Sequence, residues 1–105
     1  FFYTTNVRSG DTEQWSTVAL NGLLYWSLAV VPFKDDFWSE STEPFNKWNA
    51  TEVNPELQTL VASLSAGPVG PADRIGYVNR SRLLQTCRAD GTLLKPLAPA
   101  LNLDS

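Results

Sequence analysis

Ser65-Ala66-Gly67-Pro68-Val69-Gly70-Pro71-Ala72-Asp73 is the stretch on which the fold turns. Two glycines and two prolines stand in nine residues, with a carboxylate at the end. Gly67 and Gly70 permit close backbone approach or positive φ. Pro68 and Pro71 remove two amide donors and push the preceding glycines toward extended geometry. Such a stretch is neither a helix nor the middle of a regular ladder. It reads as a short strand that stops abruptly and delivers Asp73 to a rim, where α/β folds bind ligands. The plainer alternative is a loop between helices with a solvated Asp.

Helical patterns flank it. Before it, Asn54-Pro55-Glu56 is a helix start: cap, proline at the first position, then an acid. Leu57, Leu60, Val61 and Leu64 follow at i, i+3, i+4 and i+7. After it, residues 78 to 88 predict a helix with Val78, Leu83, Leu84 and Cys87 inward and Arg80, Arg82 and Arg88 outward. Cys87 there reads as an apolar filler. Asp90-Gly91 turns the chain into Thr92–Lys95, read as a strand. Pro96 and Pro99 begin a linker, residues 97 to 105, leading out of a domain spanning residues 1 to 96.

The first half carries nearly all the aromatics. Phe1 to Arg8 is β-prone, and Ser9-Gly10 breaks it. Asp11 and Gln14 have the spacing of a capping box, so Asp11 also reads as a helix N-cap. Trp15 to Leu28 predicts a helix apolar over most of its surface, and Ala29 to Pro32 a short buried strand. Phe33 to Thr42 sets two carboxylates among aromatics directly after that strand. Sugar sites use that pairing: rings take the apolar face of a pyranose and carboxylates take its hydroxyls. The alternative is a surface loop whose aromatics pack inward. Residues 44 to 53 form a polar connector.

The order strand, helix, strand, helix, strand, helix, strand predicts βα units on a parallel sheet. Three such units cannot close a barrel, which takes about 250 residues. The reading is therefore a segment of a larger fold, or a small open α/β domain. A Phe-Phe-Tyr start, no Met and an end at Leu-Asp-Ser give the same expectation of a segment.

Composition excludes several classes. Net charge is −3 and positive charges are scattered, which argues against nucleic acid as a partner. No apolar run approaches the roughly 20 residues of a membrane span. A single Cys rules out an internal disulfide and a multi-cysteine metal site. With no His, Ser-His-Asp and Cys-His catalysis are out, as are most zinc sites. No cofactor or metal is expected, and any chemistry must use carboxylates, Tyr, Lys or the thiol. Asn49-Ala50-Thr51 and Asn79-Arg80-Ser81 are glycosylation sequons, favouring a secreted or lumenal location. Asn79 equally suits a helix cap.

Taken in order, Arg8-Ser9-Gly10-Asp11, Pro32-Phe33-Lys34-Asp35-Asp36-Phe37-Trp38, Ser65–Asp73 and Asp90-Gly91-Thr92-Leu93-Leu94 resemble the last part of the catalytic barrel in raffinose synthases and related α-galactosidases. The resemblance covers roughly residues 4 to 96 and is closest to uncharacterised, secreted animal relatives. It implies an α/β fold, a segment of a (β/α)8 TIM-type barrel comprising its last strands and helices, leading toward a C-terminal β-domain. Residues 1–8, 29–32 and 65–69 would be the sixth, seventh and eighth strands.

The resemblance also assigns roles. Asp11 matches the general acid/base, while Arg8, Asp35, Trp38, Gly67 and Asp73 fall on the sugar-contacting wall. The nucleophile would come from an earlier strand outside these residues, so this stretch alone would hydrolyse nothing. Its partners would be carbohydrate and the remainder of its own polypeptide. The chain departs from the pattern at Gly10, Thr12, Lys34, Trp38 and Ala66. Those departures support a second expectation: a catalytically inactive, carbohydrate-binding or structural relative.

Overall fold

The computed structural model describes residues 2–5, 12–47 and 49–99. Its elements run β1 (Phe2–Thr5), α1 (Thr12–Ser27), β2 (Val31–Lys34), α2 (Pro55–Leu64) and α3 (Arg80–Leu83). β1 and β2 pair in parallel, Phe2 opposite Val31 through Thr5 opposite Lys34, with α1 as the crossover. Residues 6–11, which include Arg8 and Asp11, lie outside the described residues.

The Gly-Pro stretch runs beside β2 and the chain that extends it. Gly67 N–H donates to Pro32 C=O at 3.2 Å, Phe37 N–H to Gly70 C=O at 3.1 Å, and Ala72 N–H to Phe37 C=O at 2.8 Å. Phe37 and Pro71 form a parallel bridge. It is an extended segment rather than a regular strand, because Pro68 and Pro71 supply no donors. Pro32 costs the β1–β2 ladder little: its carbonyl points to Gly67, so the amide it lacks would also face away from β1.

The second strand begins two residues later than expected. α1 closes in a Schellman motif: Val30 N–H reaches Tyr25 C=O at 2.8 Å, and Ala29 N–H reaches Trp26 C=O at 3.1 Å. Ala29 therefore sits at φ 59°, a left-handed position that normally takes glycine. The turn consumes Ala29 and Val30, and the strand is Val31–Lys34 rather than 29–32.

α2 starts as expected. Asn54 Oδ1 accepts Leu57 N–H at 3.1 Å, and Pro55 holds the first position. Its last turn is closed by Lys95, whose ammonium donates to Ala62 C=O at 2.7 Å and Ser65 C=O at 2.9 Å. The inward face is Gln58, Thr59 and Ala62, whereas Leu60 and Leu64 of the apolar stripe are exposed.

The third helix is shorter than the expected 78–88. Beyond Leu84, Gln85 and Thr86 make three-residue turns back to Arg82 and Leu83. Residues 86–94 then fold on themselves: Arg88 N–H donates to Thr92 C=O, Leu94 N–H to Thr86 C=O, and Gly91 turns at φ 89°. Thr92–Lys95 is thus one arm of an antiparallel closure with the single bridge Cys87–Leu93, not a strand of the parallel sheet. Val78 and Leu84 are exposed, Leu83 and Cys87 half-buried, and Arg82 turns inward instead.

Among the described residues, the buried set is mostly polar: Lys34, Ser39, Glu43, Glu52, Gln58, Thr59 and Thr86 beside Phe37 and Ala62. Leu20, Leu23, Leu24, Trp26 and Leu28 of α1 and its C-terminal turn are exposed.

Candidate functional site

The parallel segments set the geometry. The chain beyond β2 and the end of the Gly-Pro segment emerge at the same, C-terminal, rim. Side chains along β2 alternate, with Pro32 and Lys34 buried and Val31 and Phe33 half-buried. Asp35 continues the Val31–Phe33 row. Its Oδ1 accepts the Asp36 amide at 2.9 Å, which fixes the carboxylate just past the strand.

Asp73 comes to this loop from the other segment. Its Oδ1 accepts the Ser39 amide at 2.8 Å, next to half-buried Trp38. Its Oδ2 is buried and has no hydrogen-bond partner among the described residues. A buried carboxylate oxygen without a donor is costly, and a ligand hydroxyl satisfies it once the rim opens to it. Asp35, Trp38 and Asp73 therefore share one rim. Gly67 does not join them: it is buried at the start of the segment and its amide is taken by Pro32. Arg8 and Asp11 lie outside the described residues.

Ser39 ties the rim to α3. It is fully buried and uses all three backbone and side-chain groups. Its N–H donates to Asp73, its Oγ accepts the Asn79 amide at 2.8 Å, and its carbonyl accepts from Arg82 Nη1. Asn79 caps α3 by accepting Arg82 N–H at 2.9 Å and donates its side-chain amide to Glu40 at 2.8 Å. That nitrogen, the one a glycan would take, is thus engaged, while Asn49 sits exposed at φ 48°.

Lys34 is buried under the same loop. Its ammonium donates to Asp35 C=O at 3.1 Å. Burial holds its pKa below the ordinary 10.5, against the opposing pull of Asp35, Asp36 and Glu52. A second buried carboxylate, Glu43, accepts the Arg74 amide, and its Oε2 has no partner among the described residues.

Ser39, Glu43 and Arg82 carry no sequence signal, because their partners lie some thirty to forty positions away. A groove of about 520 Å³ lies elsewhere. Ser63, Leu64, Arg88, Leu93, Leu94 and Lys95 line it, near where the Gly-Pro segment begins rather than at the Asp73 end. Among the described residues no cluster of His, Cys, Asp and Glu is of a size to hold a metal, and no helix is long and apolar enough to cross a membrane.

No family model matches the chain, and neither a curated protein nor a solved structure does.

Proposed function

We propose that this chain is the closing part of a (β/α)8 barrel in a glycoside hydrolase-like protein, and that its rim binds a carbohydrate. Asp11 serves as general acid/base, and Asp35, Trp38 and Asp73 contact the sugar. The observation that carries the reading is Asp73: a carboxylate delivered beside Trp38, with one oxygen fixed by Ser39 and the other buried without a donor. A pyranose hydroxyl that opens the rim to this oxygen supplies that donor, and the indole supplies the apolar surface.

Two further features support the barrel. Three extended segments run side by side in one direction, the first two joined by a helix. Leu20, Leu23, Leu24 and Trp26 in the second half of α1, and Leu60 and Leu64 of α2, stand open, as staves do when the rest of a core covers them. In such a barrel the nucleophile comes from another strand, and the two carboxyls of a retaining enzyme stand about 5 to 5.5 Å apart. Asp11 protonates the leaving oxygen, then deprotonates the incoming water.

Hydrolysis of aryl glycosides by the intact protein and by Asp11→Asn tests this. The expected loss is roughly 10²- to 10⁴-fold. Equal rates remove Asp11 from the mechanism.

A second reading rests on Lys34. Its buried ammonium holds the Asp35 carbonyl, and it replaces the aromatic that the resemblance calls for. In that reading the protein binds sugar without cleaving it. Glycoside binding with no turnover, and no acid on the matching upstream strand, distinguish it. Secretion with a glycan on Asn49 completes the proposal; a deglycosylation shift absent from Asn49→Gln is the expected result.

A further inference from the structure

We propose that Phe45, backed by Arg74, is the platform of a second sugar subsite outside Asp73, and that it takes the apolar face of a neighbouring pyranose in an extended glycan. The inference rests on the carbohydrate reading and adds to it the length of ligand.

Phe45 is 84% exposed and its backbone sits at φ 62°. A bulky residue in left-handed geometry is a genuine outlier, kept only where its surroundings over-determine it. Here they do. Asn46 Nδ2 donates to Glu43 C=O at 2.8 Å and Ala50 C=O at 3.3 Å, and Asn46 Oδ1 accepts Ala50 N–H at 2.8 Å. The loop base is closed by the Thr42–Thr51 bridge and by Glu52 N–H on Ser41 C=O at 2.8 Å. Among the described residues of the loop, these bonds frame Phe45 and hold its ring out to solvent.

The frame is fastened to the rim. Glu43, buried at the loop's start, accepts the amide of Arg74, the residue after Asp73. The Arg74 guanidinium then lies over the Phe45 ring, 5.1 Å from its centroid. One ring face is covered by a cation, and a half-buried hydrogen bond from Arg74, the residue after Asp73, to Glu43 ties the loop to the rim. A held, exposed aromatic beside a carboxylate site is the arrangement that stacks on a pyranose, with the guanidinium as donor to its hydroxyls.

The test uses the intact protein and α- and β-linked galacto-, gluco- and manno-oligosaccharides of one to four units. Calorimetric titration compares wild type, Phe45→Ala, Phe45→Trp and Asp73→Asn. Phe45→Ala is expected to weaken the longer ligands about tenfold and leave monosaccharide binding unchanged. Phe45→Trp restores the longer ligands, and the melting temperature stays at the wild-type value. Equal binding of long ligands by wild type and Phe45→Ala, with binding lost in Asp73→Asn, overturns this inference alone. A fall in melting temperature in Phe45→Ala also overturns it, because the ring is then packing against further polypeptide. No binding of any sugar by the wild type overturns both this inference and the reading beneath it.

Discussion

The amide of Ser39 donates to the carboxylate of Asp73 at 2.8 Å, across thirty-four positions of chain. This bond joins the loop after β2 to the end of the Gly-Pro segment, and Arg82 holds it from behind through the Ser39 carbonyl. The rim thus depends on a residue of α3 that touches neither Asp73 nor Trp38 in any bond described above.

Arg82 should matter through that carbonyl and not through its ion pairs. Arg82→Met leaves a buried acceptor unsatisfied and is expected to cost about 1–3 kcal/mol in urea unfolding of the intact protein. Its contacts to Glu40 at 3.7 Å and Glu56 at 3.9 Å are to exposed carboxylates. Glu56→Gln should therefore shift stability by less than about 0.5 kcal/mol. A larger effect from Glu56 than from Arg82 would reverse this assignment.

Ala29→Gly should stabilise the protein. Ala29 occupies the left-handed position of the α1 Schellman motif, where Cβ costs roughly 1 kcal/mol. Glycine gives back part of that gain through the entropy of the unfolded chain. The expected net change is a few tenths to about 1 kcal/mol, read as a rise in the urea midpoint. A fall would show that the turn is not strained.

What was legible in the sequence was local. Asn54-Pro55-Glu56 and the Asn79 cap are contacts between residues three apart, so pattern suffices for them. The extended character of 67–72 follows from its prolines. The boundary of β2 was not legible, because alanine at φ 59° gives no glycine signal. Nor was the facing of α2: its leucine stripe is real, but the residues it buries are Gln58, Thr59 and Ala62. Lys34 stands in the sequence only as a departure from the resembled pattern, yet tertiary packing buries it. Ser39 was hidden for the same reason: each of its partners is distant in sequence.

Lys34 gives the chain a signed pH dependence. Its folded pKa lies below 10.5, mainly through burial, so the unfolded chain binds more protons in the window between the folded value and 10.5. Stability from this group therefore rises as pH increases through that window and is lowest where both states are charged. Lys34→Met removes the contribution. Subtracting its unfolding free energy from that of the wild type at each pH should leave a difference that moves in favour of the wild type as pH climbs toward 10.5. A difference independent of pH would mean that Lys34 is solvated.

The central claim is that β1, β2 and the Gly-Pro segment are neighbouring staves whose ends gather Asp11, Asp35 and Asp73 at one mouth. A crystal structure of the intact protein soaked with an aryl glycoside measures this directly. Sugar density is expected on Trp38, with the carboxylates of Asp11 and Asp73 both facing it. Carboxylates of Asp11 and Asp73 on opposite sides of the sheet would contradict it.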